Sequence, residues 1–139
     1  MTETLTKSAA RVKELGEVFT PATLVGEMLD KLPPECWLPD KTFLEPSCGT
    51  GNFLVQILQR KLDMGHPPLQ ALSTIYGIDI MADNIDESRQ RMCQIMAEHG
   101  VSDMQRVLRI LEHNIICGNA LDAATLHSVP LQYIPGRLG

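Results

Sequence analysis

One stretch decides what this chain can fold into. Thr42-Phe-Leu-Glu45 is a short apolar run ending on an acid, and Pro46-Ser-Cys-Gly-Thr-Gly51 turns it straight into a segment with Leu54, Ile57, Leu58 and Leu62 at helical spacing. A strand that passes through a glycine turn into an amphipathic helix is half of a βαβ unit, and the rest of the chain supplies the other half twice over. Thr74-Ile-Tyr-Gly-Ile-Asp-Ile80 reads as a buried strand, followed by a helix over about 83–98 with Ile85, Met92 and Met96 facing inward. Ser102 is placed to cap a further helix whose apolar face is Met104, Val107, Leu108 and Leu111, and Ile115-Ile-Cys117 is a third short strand.

The flanks are weaker. Residues 5–15 form a helical segment closed by Gly16. Thr20-Pro21 reads as a Thr cap with Pro at the first helical position, ahead of a face made by Leu24, Val25, Met28, Leu29 and Leu32 that Pro33-Pro34 terminates. Gly65 is a C-terminal helix stop, His66-Pro-Pro-Leu69 a loop, and residues 123–139 an irregular tail. The order helix, β, α, β, α, α, β predicts an α/β domain spanning residues 1–139, with about three parallel strands and flanking helices.

Composition sets the outer limits. The 139 residues are 44% hydrophobic and 21% charged, which suits one soluble domain with a real core. Net charge is −5, from 12 Lys plus Arg against 17 Asp plus Glu, with no basic stretch of the kind that grips nucleic acid unaided. No apolar run reaches membrane-spanning length and the N-terminus lacks signal-peptide order, so a cytoplasmic chain with no membrane partner is expected. Cys36, Cys48, Cys93 and Cys117 form no C-x-x-C pair, which argues for reduced, mostly buried thiols and for no metal site.

Right-handed crossovers bring the carboxyl ends of the strands to one edge of a parallel sheet, and ligands of such sheets bind just beyond those ends. The ends here are Glu45, Asp79 and Gly118-Asn119. Gly49-x-Gly51 lets a ligand approach the backbone, yet the dinucleotide fingerprint fails because position 54 is Leu. A carboxylate at the first strand end repels a pyrophosphate and suits an ammonium group. That chemistry predicts a cationic nucleoside carrying an amino acid, for which S-adenosylmethionine is the natural candidate. Asp79, 28 residues past Gly51, would accept the ribose hydroxyls, with Ile80 covering a face of the adenine. Asn119 offers the donor and acceptor that an adenine edge requires. Taken singly, each has a plainer account: Asp79 as a helix cap, Asn119 as a turn residue, Thr20 as a cap alone.

Together these elements resemble the N6-adenine DNA methyltransferases, in the branch whose cofactor-binding half comes first. Gly16-Glu-Val-Phe-Thr-Pro21 is similar to that family's N-terminal cofactor motif, Glu45-Pro-Ser-Cys-Gly-Thr-Gly-Asn-Phe-Leu54 to its glycine loop, Tyr76-Gly-Ile-Asp-Ile80 to its ribose-binding strand end, and Asn114-Ile-Ile-Cys-Gly-Asn-Ala-Leu121 to its adenine-binding strand. The resemblance implies a Rossmann-like, S-adenosylmethionine-dependent methyltransferase fold, present in part. It implies cofactor contacts from Phe19, Thr20, Glu45, Ser47, Gly49, Gly51, Asp79, Ile80, Asn119 and Leu121. Thr20 and Glu45 would hold the methionine part, Gly49 and Gly51 the pocket wall. The family's catalytic Asn/Asp-Pro-Pro-aromatic tetrapeptide should follow soon after Leu121, and residues 122–139 contain none. No catalytic residue is therefore assigned. The expectation is a cofactor-binding part that methylates an extruded adenine, and meets DNA, only when completed by a catalytic and recognition part. The alternatives are a non-catalytic module that binds cofactor, a partner chain or itself, in a regulatory or anti-restriction role, and an enzyme that degrades the cofactor.

Overall fold

The computed structural model describes residues 20–122. The helical segment at 5–15, Phe19 and the tail at 123–139 lie outside the described residues. In chain order the elements are α1 (Ala22–Asp30), a 3-10 turn (Pro34–Trp37), β1 (Phe43–Glu45), α2 (Asn52–Asp63), α3 (Pro68–Ser73), β2 (Ile75–Asp79), α4 (Ala82–Glu98), α5 (Met104–Asn114) and β3 (Ile115–Cys117). The strands form one parallel sheet in the order β1-β2-β3, with Phe43 opposite Ile75 and Gly77 opposite Ile115. The expected α/β architecture of three parallel strands with flanking helices is what the chain adopts.

Both crossovers step in the same direction along the sheet. Right-handed connections then put α2 and α4 on one face, where they pack against each other. The central strand is buried at all five positions. At its middle, Gly77 has no room for a side chain: an added Cβ would sit 2.9 Å from Leu54 Cδ1 and 3.3 Å from Cys48. That close approach seats α2 on the sheet. Leu54, Ile57, Leu58, Leu62, Ile75, Ile85, Met92, Met96, Val107 and Leu111 make the core. Each such side chain removed from water contributes roughly 1.5–3 kcal/mol.

Several local expectations are corrected. Thr20 does not cap α1: the N-cap is Pro21, in extended conformation, and no side chain caps this end. The first helical residue is Ala22 because the Thr20 carbonyl is taken outside the helix, accepting from Asn52 Nδ2 at 2.7 Å. Ser102 does not cap α5 either. Asp103 does, its carboxylate accepting from the Arg106 amide. The apolar faces are narrower than the sequence stripe, since Val25 and Leu29 are buried while Leu24, Met28 and Leu108 are about half exposed. The segment after Gly65 is no simple loop: His66 is buried and α3 begins two residues later. Of the four thiols, all free, only Cys48 is buried and Cys117 is exposed. Among the described residues, no helix is long and apolar enough to cross a membrane.

Among the described residues, Lys61 is the one fully buried cation. Its ammonium donates to the Lys41 carbonyl at 2.8 Å and to Thr74 Oγ1 at 2.9 Å, and lies 5.2 Å from the centre of the Phe43 ring. Burial lowers its pKa from 10.5 to about 8, against the attraction of Asp40. A base whose folded pKa is depressed holds fewer protons than in the unfolded chain between those two values, so stability rises with pH across that window. Cys48, whose burial raises its pKa from 9.0 to about 12, acts in the opposite sense above pH 9. Denaturant unfolding should therefore show the chain gaining stability from pH 7.5 to 9 (roughly the span set by these shifts), and Lys61→Met should remove that gain. An unchanged pH slope in the variant would exclude Lys61 as its source.

Candidate functional site

The loop between β1 and α2 is held from beneath by one carboxylate. Asp79, at the end of β2 and 7% exposed, accepts from the Gly49 amide at 3.3 Å through Oδ1. Its Oδ2 accepts from the Met81 amide at 3.0 Å and from Asn84 Nδ2 at 2.9 Å. A buried charge is tolerable only when its oxygens are satisfied in this way. The loop is also fastened to α4. Ser88 Oγ donates to the Gly49 carbonyl at 3.0 Å. Arg91 Nη1 donates to the Thr50 carbonyl at 2.8 Å and to Asn52 Oδ1 at 2.9 Å, and Asn52 in turn holds Thr20. A side-chain relay from α4 through α2 thus positions the segment that leads into α1.

The two glycines of the loop have different reasons to be there. Both are left-handed, at φ 55 for Gly49 and φ 96 for Gly51. Gly49 has open space where a side chain would be. Gly51 does not: a Cβ there would lie 2.9 Å from Ser88 Oγ. Gly51 is a packing and backbone requirement, whereas Gly49 borders free space.

That space is a cavity of about 110 Å³ lined by Thr20, Glu45, Ser47, Cys48, Gly49, Thr50, Asn52 and Phe53. It brings four of the residues singled out from sequence together: Thr20, Glu45, Ser47 and Gly49. The Glu45 carboxylate accepts from the Ser47 amide at 3.1 Å. Burial raises its pKa above the ordinary 4.5, and the Ser47 hydrogen bond only partly offsets this. Such a carboxylate gains from a cation brought beside it. The Cys48 thiol is buried in the same wall with its pKa pushed up to about 12, first by burial and then by the charge of Asp79, so it is inert as a nucleophile.

The other expected residues stand apart from this cavity. Asp79 lies under its floor with both oxygens engaged. Ile80 is 53% exposed beyond the end of β2, and its carbonyl is 3.5 Å from Cys117 Sγ. Asn119 is exposed in a turn whose own geometry uses its side chain, Oδ1 accepting from the Leu121 amide at 2.9 Å. Leu121 is 92% exposed. The β3 end is nonetheless tied to the β2 end, since the Gly118 amide donates to the Asp79 carbonyl at 2.9 Å. Sequence reading missed Thr50, Asn52, Asn84, Ser88 and Arg91. Asn52, at the first position of a helix immediately after the glycine turn, carried the one usable signal.

The parallel sheet, the glycine turn leaving β1 and the acid closing β2 define the class as α/β, a partial Rossmann-like methyltransferase fold. Over 80 residues the chain is 35% identical to the Type II methyltransferase M.VspI of Vibrio sp. (strain 343), a stretch that is 58% of this chain and 17% of that protein. The chain thus spans less than a fifth of the relative it matches. No family model and no solved structure matches it.

Gly51→Ala should cost at least about 2 kcal/mol of stability, because it combines a left-handed φ with the Ser88 contact. Gly49→Ala should cost less than Gly51→Ala, since only the backbone term applies. Urea unfolding of the two variants side by side checks this order, and equal losses would contradict the packing role of Gly51.

Proposed function

We propose that this chain is the S-adenosylmethionine-binding part of a DNA adenine (N6) methyltransferase. In that reading it works in the cytoplasm and acts on DNA once a catalytic and recognition part completes it. The observation that carries the reading is the convergence of Thr20, Glu45, Ser47 and Gly49 on one cavity at the carboxyl end of a parallel sheet. The residues fit the cofactor's amino-acid end. Glu45 supplies a partly desolvated carboxylate for the ammonium, and Gly49 leaves the backbone open to approach. When bound, the cofactor supplies an electrophilic methyl group. The chain's own residues orient it and shield its charged end from water.

Further along the same sheet edge, Asp79, Ile80, Asn119 and Leu121 are proposed to receive the ribose and adenine. For Asp79 this asks that a ligand hydroxyl join or replace one of its three internal donors. For Asn119 it asks that the turn at 119–121 release the side-chain oxygen. The similarity to a Type II methyltransferase supports methyl transfer as the activity of the whole protein.

Isothermal titration with S-adenosylmethionine and its demethylated product tests the cofactor site. Glu45→Gln should weaken binding by about tenfold or more, through loss of a charge-assisted contact. The same change should leave the fold intact or slightly more stable at neutral pH. An acid whose folded pKa is raised contributes stability only below its unfolded value of 4.5 and loses it as pH rises through the folded value, so its ionisation opposes folding. Because only the ionised carboxylate attracts the ammonium, affinity should fall as pH is lowered through the Glu45 titration, which lies above 4.5. Affinity indifferent to both changes would remove Glu45 from the site.

The sequence holds no Asn/Asp-Pro-Pro-aromatic tetrapeptide to hold an adenine amine and stack on its ring. A net charge of −5 also disfavours duplex binding by the chain alone, since a duplex is held mainly by neutralising its phosphates. A second reading is a module that binds cofactor without catalysis. The chain alone should transfer no labelled methyl group to unmethylated DNA, and adenine labelling that depends on it would overturn this expectation.

A further inference from the structure

Among the described residues there is a cavity larger than the one beside Glu45. A groove of about 690 Å³ runs along α5, lined by Ser73, Tyr76, Arg106, Arg109, Ile110 and His113, with Asp103 and Asn114 at its margins. Ser73 precedes β2 and Asn114 precedes β3, so the groove opens at the amino ends of the strands. It is separated from the cofactor crevice by the length of β2, about 15 Å. Its volume falls in the range of roughly 300–1,000 Å³ typical of small-molecule sites.

The cations in it are uncommitted. Elsewhere among the described residues every arginine is engaged. Arg60 bridges Asp30 at 2.8 Å and the Gly26 carbonyl at 2.9 Å. Arg89 holds the Ile115 carbonyl at 2.6 Å, and Arg91 holds the glycine loop. Among the described residues, the guanidinium groups of Arg106 and Arg109 have no hydrogen bond, ion pair or ring contact. Of the acids nearest in sequence, Asp103 spends its carboxylate on the Arg106 amide as the cap of α5, and Glu112, three residues past Arg109, is not among the lining residues. His113 has its Nδ1 3.3 Å from Asn114 Oδ1. Asn114 Nδ2 donates to the Ser73 and Ile75 carbonyls, which fixes the amide and turns its oxygen toward the imidazole. Nδ1 is then the donor of that pair, and Nε2 is left for another partner. Arg106, Arg109, Ile110 and His113 follow one helical stripe at i, i+3, i+4 and i+7. Two guanidinium forks and an imidazole thus share one concave surface on a chain whose net charge is −5.

We infer that the groove along α5 is a second binding site, for a phosphate-bearing ligand. Two guanidinium forks present more donors than the two oxygens of a carboxylate can use, whereas a phosphate offers three or four acceptors in matching geometry. Ile110 and the body of Tyr76 give the non-ionic part of such a ligand an apolar wall. The inference does not rest on the proposed methyltransferase activity, because it uses no residue of the cofactor crevice.

The test is an amide-shift titration of the ¹⁵N-labelled full chain with four probes: inorganic phosphate, deoxyadenosine monophosphate, a short single-stranded oligodeoxynucleotide and hexaglutamate. Saturable shifts centred on α5 and Ser73 are expected with the phosphate probes. A mononucleotide that saturates first identifies a free nucleotide as the source of the phosphate; shifts that come only with the oligonucleotide identify a polynucleotide. The double variant Arg106→Gln, Arg109→Gln keeps good helix formers at two exposed positions and should weaken these probes by about tenfold or more. Binding of S-adenosylmethionine, which carries no phosphate, should be unchanged in that variant, so failure of the cofactor reading and failure of this one are told apart. Absence of saturable shifts at millimolar probe, shifts scattered away from the groove, equal binding of hexaglutamate, or full binding by the double variant would each overturn the inference.

Discussion

The buried carboxylate of Asp79 is the contact on which the functional edge of this molecule depends. It accepts from the loop after β1, from the first turn of α4 and from a side chain of that helix, with its own strand between them. Two segments distant in sequence, the glycine loop and the junction of β2 with α4, are thereby locked at one point. The ligand role proposed for Asp79 would compete with these internal donors for the same oxygens. Glu45 differs in kind: one backbone amide is its partner, and its burial leaves it short of counter-charge.

The sheet was legible from the sequence because its signals are local. An apolar run closed by an acid and a glycine turn marks β1 and its helix. Ile75 to Asp79 marks a strand buried on both faces, and Ile115 to Cys117 lies within the span expected for the third. Helix beginnings were less legible, because caps are decided by which donor the fold brings near. Thr20 and Ser102 both look like caps, yet Asn52 claims the Thr20 carbonyl and Asp103 offers a carboxylate one residue later. The buried face of α1 is narrower than its apolar stripe: among the described residues α2 packs on it, with Val25 and Leu29 buried and Leu24 and Met28 left at the rim.

In the candidate site, Thr20, Glu45, Ser47 and Gly49 share a cavity, and chemistry alone pointed to Glu45 and Gly49. The supporting residues were invisible for a physical reason. Ser88 and Arg91 lie on α4, about forty residues from the loop they hold, and nothing in their neighbourhood distinguishes them from an ordinary exposed helix face. Gly51, expected in the pocket wall, packs so tightly on α4 that an added Cβ would lie 2.9 Å from Ser88 Oγ.

The winding of the sheet has a kinetic meaning. Each strand pairs only with its neighbour in sequence, so no pairing has to close a loop longer than one crossover. For a parallel sheet this keeps the entropy of loop closure small and favours rapid assembly. It also makes β2 a strand shared by two overlapping βαβ halves. Neither half buries its apolar surface without that strand, so the two are bound to form cooperatively, and the loop that carries Gly49 reaches its final shape only after Asp79 has arrived beneath it.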